Sequence, residues 1–291
     1  MALDSMREIC EKAEQRQIPF WRVVLETDIE EREVTEEASM EKMRFTWKAM
    51  LESVESYRED RRSVSGLVGG DGQKMRDYAK SGTPLCGEYL REVIATALCV
   101  GESNACMCKI VAAPTAGACG VLPAVLVPLY KSGTAGEEIL QALYAASGIG
   151  AVIAYRACIA GAAGGCQAEI GAASAMAAGA LTALRGGTAE QIGHAVAMAL
   201  KNLMGLVCDP IAGLVEVPCV KRNVIGAVNA VSCADMALAG ITSRVPVDQV
   251  IDCMGEVGRR MPVEFRETAL GGLAATPFGK SVKEQMESKN G

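Results

Sequence analysis

Between Gly136 and Leu184 the chain is dominated by Ala, Gly, Ile and Leu in a helical pattern, with a run of small residues from Gly161 to Gly165. Side chains this small let helices approach one another closely. Aromatic residues make up only 4% of the chain while Gly fills 31 positions, so the core has to be made by close helix contact and not by large rings. Glycine loses more conformational freedom on ordering than any other residue, and so many of them need a packing or loop reason. No alternating apolar and polar run of strand type and no regular internal repeat interrupts the pattern. The expected fold is all-α, with a single helical unit over 61–291 and a helical extension over 1–60.

The helix signals can be placed one by one. Residues 3–17 read as an amphipathic helix, and a second starts at Pro19, tolerated in a first turn. Thr35 is an N-cap ahead of Glu36 and Glu37, acids that the helix dipole favours there. Met40, Met43, Trp47, Met50, Leu51 and Val54 then recur at helical spacing. A further helix is expected from Gly87 to Cys108, which would leave Cys106 and Cys108 on different faces in a structural role. After a loop, an apolar helix starts at Leu122. The pattern from Gly136 runs on through Tyr155 and Cys158 into Cys166, Gly186-Gly187 ends the Ala-rich helix that follows, and Thr188 with Gln191 forms a capping box. Helices over 224–239 and from Pro246 to Arg260 complete the series, before a charged, loose tail over 283–291.

Three stretches resist the helical pattern. The first is Ser65-Gly66-Leu-Val-Gly69-Gly70-Asp71-Gly72, where four glycines in seven residues allow backbone amides to approach an anion closely, or simply make a flexible connection. The second is Pro114-Thr115-Ala-Gly117, a hydroxyl-bearing loop ahead of a helix N-terminus, a place suited to a carboxylate. The third runs from Cys208-Asp209-Pro210 to Pro218-Cys219. Cys166, Cys208 and Cys219 all sit beside Gly or Pro or close to a helix start, where the dipole favours a thiolate.

Charge and targeting signals exclude several classes. A net charge of −6 and no basic stripe with interleaved aromatics argue against a nucleic-acid partner. The N-terminus lacks the basic start and apolar run of a secretory signal, so a cytoplasmic protein is expected, whose 12 cysteines are buried small residues, metal ligands or reactive thiols. The uncharged run Ile110–Tyr130 is long enough to span a bilayer. It contains Pro114 and Pro123 and turn chemistry, and no Trp and Tyr belt flanks it, so no membrane association is expected.

The strings Ser65-Gly-Leu-Val-Gly-Gly, Ala113-Pro-Thr-Ala-Gly, Gly165-Cys-Gln-Ala-Glu-Ile-Gly and Cys208-Asp-Pro-Ile-Ala-Gly-Leu-Val-Glu-Val-Pro-Cys-Val-Lys-Arg-Asn resemble the iron–sulfur-dependent L-serine dehydratases. The resemblance extends from residue 60 to residue 280, and the last two strings are its specific part. Length and content are similar to the alpha chain of the two-chain form, which implies a separate beta chain as partner and L-serine as substrate. It also implies that Cys166, Cys208 and Cys219 bind a 4Fe–4S cluster, with one iron left open as a Lewis acid for the leaving hydroxyl. By residue type, His194, Glu169, Asp209, Lys221 and Arg222 are all candidates for the base that takes the α proton, and the base can equally come from the partner chain. Ser65, Gly66, Gly69, Gly70, Asn104, Thr115 and Gly117 are the expected substrate-binding residues. Two other readings stand beside this one: a pyridoxal-phosphate amino-acid lyase, which needs a Schiff-base lysine and a phosphate loop, and a small-residue helical membrane or scaffold protein.

Overall fold

The computed structural model describes residues 3–290. Its helices are α1 (Met6–Arg16), α2 (Phe20–Arg32), α3 (Glu36–Glu55), α4 (Asp71–Ser81), α5 (Glu88–Ala105), α6 (Val121–Lys131), α7 (Gly136–Arg156), α8 (Gly161–Gly164), α9 (Ala172–Leu184), α10 (Ala189–Leu203), α11 (Cys219–Leu238), α12 (Val247–Arg260) and α13 (Pro277–Asn290). Among the described residues there is no strand, only an isolated parallel bridge between Cys208 and Arg266. The fold is all-α.

Helix α9 is the axis of the molecule. Every residue from Ala172 to Thr182 is buried, and α6, α7, α10 and α11 all pack against it. Ala and Gly make this possible. A Cβ on Gly179 would run into Ile149 of α7 and one on Gly148 into Val24 of α2, so these helices lie closer than larger residues would permit. Ile139, Ile149 and Ile153 of α7 are fully buried, each worth roughly 1.5–3 kcal/mol of transfer free energy. By length and composition α7 is apolar enough to cross a membrane, yet 67% of its most apolar stretch is buried inside the fold; here it is a core helix.

Helices α1 to α3 add Met6, Ile9, Phe20, Leu25, Trp47 and Met50 to the same core. Asp248, in the first turn of α12, accepts the Met6 and Arg7 N–H groups at 2.9 and 3.0 Å. One acidic side chain thus closes the start of the chain onto a helix near its end.

The local cap signals are realised. Thr35 Oγ1 accepts the Ala38 N–H at 3.2 Å, and Thr188 and Gln191 bond reciprocally at 3.2 and 2.9 Å. Other expectations are corrected. Helix α4 begins at Asp71, inside the expected glycine loop, and occupies residues ahead of Gly87 where no helix was expected; its first N–H groups are capped by Glu102 of α5. Helix α5 ends at Ala105, so Cys106 and Cys108 lie in a turn and not on a helix. The pattern from Gly136 to Cys166 breaks at Arg156, after which the chain forms α8 and a single π-helical turn, Gln167–Gly171. The tail is helical through Asn290; Gly291 lies outside the described residues. Ile110–Tyr130 is a loop, a short 3₁₀ turn and the 11-residue α6, not one continuous span.

Candidate active site

The three irregular stretches converge at the N-terminal end of α11. Cys219 is its first residue, and cis peptide bonds precede Pro114 and Pro218. Cys208 is held extended: its N–H donates to Phe265 O at 2.8 Å and its carbonyl accepts the Glu267 N–H at 2.9 Å. Cys166 precedes the π-helical turn, a feature common at functional sites. Its neighbour Gln167, 1% exposed, anchors that turn by accepting the Gly205 N–H at 2.8 Å and donating to Met254 O at 3.1 Å.

Cys166, Cys208 and Cys219 are all buried. The Cys208 thiol hydrogen-bonds Cys166 and the Arg222 guanidinium faces the same sulfur, which together hold Cys166 below the ordinary thiol range. The same hydrogen bond, then burial, drives Cys208 upward. Burial, then the charge on Cys166, pushes Cys219 up to about 12. The pocket therefore favours negative charge on one sulfur and resists it on the other two.

Arg222 is fixed from its other side. It donates to Val207 O at 2.7 Å and to Asp209 Oδ1 at 2.8 Å, in an ion pair that is almost fully buried. Asp209 Oδ2 accepts the Leu273 N–H at 2.9 Å, so this carboxylate is bonded on both oxygens. Gly272 has a left-handed φ of 58° and faces Asp209, where a Cβ would overlap the carboxylate.

Glu169 faces the Thr115 loop. Thr115 Oγ1 donates to its Oε1 at 2.7 Å, and burial raises its pKa. A Cβ built on Gly161 would lie 2.7 Å from Glu169 Oε2 and 3.1 Å from Glu267 Oε2, so two carboxyl groups flank a glycine. Gly117 is less confined: its Cβ position is 3.3 Å from Glu169 Oε1.

Two side chains not singled out from the sequence tie the loops together. Asn223, 1% exposed, accepts the Gly120 N–H at 2.8 Å and donates to Gly117 O and Cys219 O at 2.8 and 3.0 Å. Glu216 accepts from Ser63 Oγ at 2.5 Å, from Ser65 Oγ and from the Ser65 N–H. A buried carboxylate or carboxamide is expensive unless bonded, so Glu216 within the apolar stretch 211–220 is a signal that could have found it, whereas Asn223, next to Lys221 and Arg222, carries none.

The remaining candidates are distributed as follows. Asn104 donates to Ala116 O at 3.0 Å, behind the Thr115 loop. Gly66, Gly69 and Gly70 all have left-handed φ, and the α4 N-terminus they lead into is taken by the chain's own Glu102, whose carboxylate accepts the Asp71 and Gly72 N–H groups at 2.7 and 3.2 Å. Lys221 is mostly exposed and pairs with Asp71 at 3.1 Å. His194 stands apart, in a cleft of about 640 Å³ lined by Asp4, Arg7, Cys10, Glu190 and Asp248, where none of the three cysteines reaches. Among the described residues, no three His, Cys, Asp or Glu side chains draw together tightly enough to enclose a single metal ion.

Fold and site together define an all-helical enzyme chain with a buried, thiol-rich centre. It belongs to the serine dehydratase alpha chain family, whose family model matches residues 15–274. It is 45% identical over 283 residues to the probable L-serine dehydratase alpha chain of Bacillus subtilis, covering 97% of this chain and 94% of that one. It is 43% identical over 286 residues to the L-serine dehydratase alpha chain of Peptoniphilus asaccharolyticus, covering 98% of both. The L-serine dehydratase TdcG of Escherichia coli is 45% identical over 181 residues, which span 61% of this chain but 40% of that longer protein.

Proposed function

We propose that this chain is the alpha chain of an L-serine dehydratase that converts L-serine to pyruvate and ammonia, and that Cys166, Cys208 and Cys219 hold a 4Fe–4S cluster. The observation that supports this most directly is the meeting of three buried thiols from separate segments around Cys166, with the Arg222 guanidinium beside it. Three thiolates carry more negative charge than Arg222 balances, so their natural occupant is cationic. Clusters of this kind are ligated by one thiolate per iron, which suits thiols that do not close around a single ion. When bound, such a cluster with three protein ligands supplies Lewis acidity toward the serine hydroxyl.

The chain's own residues then hold the substrate. Ser65, Gly66, Gly69, Gly70, Asn104, Thr115 and Gly117 form or support the loops assigned to serine. The carboxyl groups of Glu169 and Glu267 make an acidic wall suited to its ammonium, with Thr115 fixing one oxygen of Glu169. Removal of the α proton needs a base. In this chain Glu169 is held by Thr115 and given to the ammonium, Asp209 is bonded on both oxygens, Lys221 and Arg222 are paired to acids, and His194 lies in another cleft. We therefore assign the base to a separate beta chain, in keeping with the longer sequence of TdcG. Loss of water leaves aminoacrylate, whose imine tautomer hydrolyses to pyruvate and ammonia.

We further propose that residues 1–60 act as an extension supporting a catalytic unit over 61–291, and that the protein works in the cytoplasm, where its cysteines stay reduced. The deciding experiment is anaerobic reconstitution with and without a beta chain, followed by iron and sulfide counts and a serine-to-pyruvate assay. Absence of bound iron after reconstitution would sink the cluster assignment.

A further inference from the structure

Outside the cysteine centre, two more thiols stand together where α5 ends. The Cys106 N–H donates to Glu102 O at 2.9 Å, and the Cys108 N–H turns back to Ser103 O, also at 2.9 Å. Met107 between them is left-handed, with φ 59°, so the chain folds residue 108 back beside residue 106. Cys108 Sγ lies 3.7 Å from Cys106 O. A disulfide tolerates roughly 4.4–6.8 Å between Cα atoms, a span that residues i and i+2 of a tight turn meet.

The surroundings fit thiol exchange. Both cysteines are half-buried and Met107 is 85% exposed, so a small reagent can reach the turn. Arg61 Nη1 donates to Cys108 Sγ at 3.1 Å and sets a full positive charge against that sulfur. Tyr57, Arg61, Glu102, Ser103, Cys106 and Cys108 line one narrow cleft. Within it the Ser103 hydroxyl is buried with no hydrogen-bond partner, although buried hydroxyls are ordinarily bonded. It is an unmet polar group in the wall beside the two sulfurs.

We propose that Cys106 and Cys108 form a dithiol–disulfide couple, a modification site oxidised by a low-molecular-weight disulfide of the glutathione type. The Cys108 thiolate attacks one sulfur of the reagent, whose S–S bond breaks and releases one thiol. Cys106 then attacks the Cys108 sulfur of the mixed disulfide, releasing the second thiol. Two electrons pass from the two cysteines to the reagent, and the two thiol protons leave on the two released thiols. Nothing in this step depends on the cluster or on serine turnover.

The test uses the full chain, purified without oxygen, treated with glutathione disulfide while folded and then blocked with iodoacetamide in denaturant. The tryptic peptide Glu92–Lys109 also contains Cys99, which is fully buried and serves as an internal reference. The expected product is two hydrogens lighter than the reduced peptide and alkylated only at Cys99. Its bond maps to Cys106 and Cys108, and dithiothreitol reverses it. In Cys106→Ser the ring cannot close, and one glutathione remains on Cys108. In Arg61→Gln oxidation is severalfold slower. Alkylation of both Cys106 and Cys108 after treatment, or a bond from either to Cys99, overturns the proposal, and an unchanged rate in Arg61→Gln overturns the part given to Arg61.

Discussion

Asn223 donates to the carbonyl oxygen of Cys219 at 3.0 Å, and the same carboxamide grips Gly117 and Gly120 more than a hundred residues earlier. One side chain thus sets the distance between the Thr115 loop and the cysteine centre. In Asn223→Ala the buried Gly120 N–H and the partly buried Gly117 carbonyl lose their partner, while Cys219 O keeps its helical N–H, and each such loss costs ~1–3 kcal/mol. Denaturant unfolding should show a stability loss of about 2 kcal/mol or more. The KM for serine should rise with it, and an unchanged KM would show that the bond supports folding alone.

Removal of one thiol at a time separates ligands from packed cysteines. Cys166→Ser, Cys208→Ser and Cys219→Ser should each lose iron and serine turnover after anaerobic purification. Cys233→Ser should keep both, because its sulfur is buried against Asn202 of α10 and Asn229 of α11, away from the other three. Full iron occupancy in the first three variants is the result that breaks the assignment. Exposure of the wild type to air should lower its iron count and its activity together.

Glu216 should govern the glycine loop. Glu216→Gln weakens charge-assisted bonds to Ser63 and Ser65, which are about twice as strong as neutral ones. Hydrogen exchange over 63–70 should speed up by more than tenfold, and Ser65→Ala alone should show part of the effect. Ser65→Ala and Thr115→Ala should also raise KM or lower turnover in the assembled enzyme; no change in either would remove them from the substrate site.

A pH dependence follows from Glu169. Burial raises its pKa above the ordinary 4.5, so the folded state holds the proton more tightly than the unfolded state. Stability from this group is present below pH 4.5 and is lost as pH rises through the raised value. Glu169→Gln keeps the acceptor for Thr115 and removes the titration. The iron-free variant should therefore gain thermal stability over the wild type at pH 8 and little or none at pH 4, while losing serine turnover.

Close helix packing can be tested at Gly258. A Cβ there would stand 2.8 Å from Gly164 Cα, a backbone atom of α8 that cannot turn aside as a side chain would. Gly258→Ala should destabilise the protein by about 1–3 kcal/mol, seen as a lower Tm, and should disturb the Cys166 turn that α12 supports through the Met254 carbonyl.

The sequence by itself determined where helices begin and what kind of core they share. Thr35 and Thr188 with Gln191 act on N–H groups within a few residues, Pro19 fixes its own φ at the start of α2, and the Ala and Gly pattern of 136–184 permits only close-packed helices. The resemblance of its strings to a known family also pointed to Cys166, Cys208 and Cys219, which the helix breakers beside them do not by themselves separate from Cys86 and Cys119. Tertiary structure decided the rest. Helix α4 starts where it does because Glu102, some thirty residues on, caps it. Glu216 and Asn223 became cross-links between loops, while His194, equal to Glu169 by residue type, was left in a separate cleft. Caps and periodicity are local. Convergence of side chains depends on how closely α5, α9 and α11 approach, and only the packing of those small-residue faces sets that.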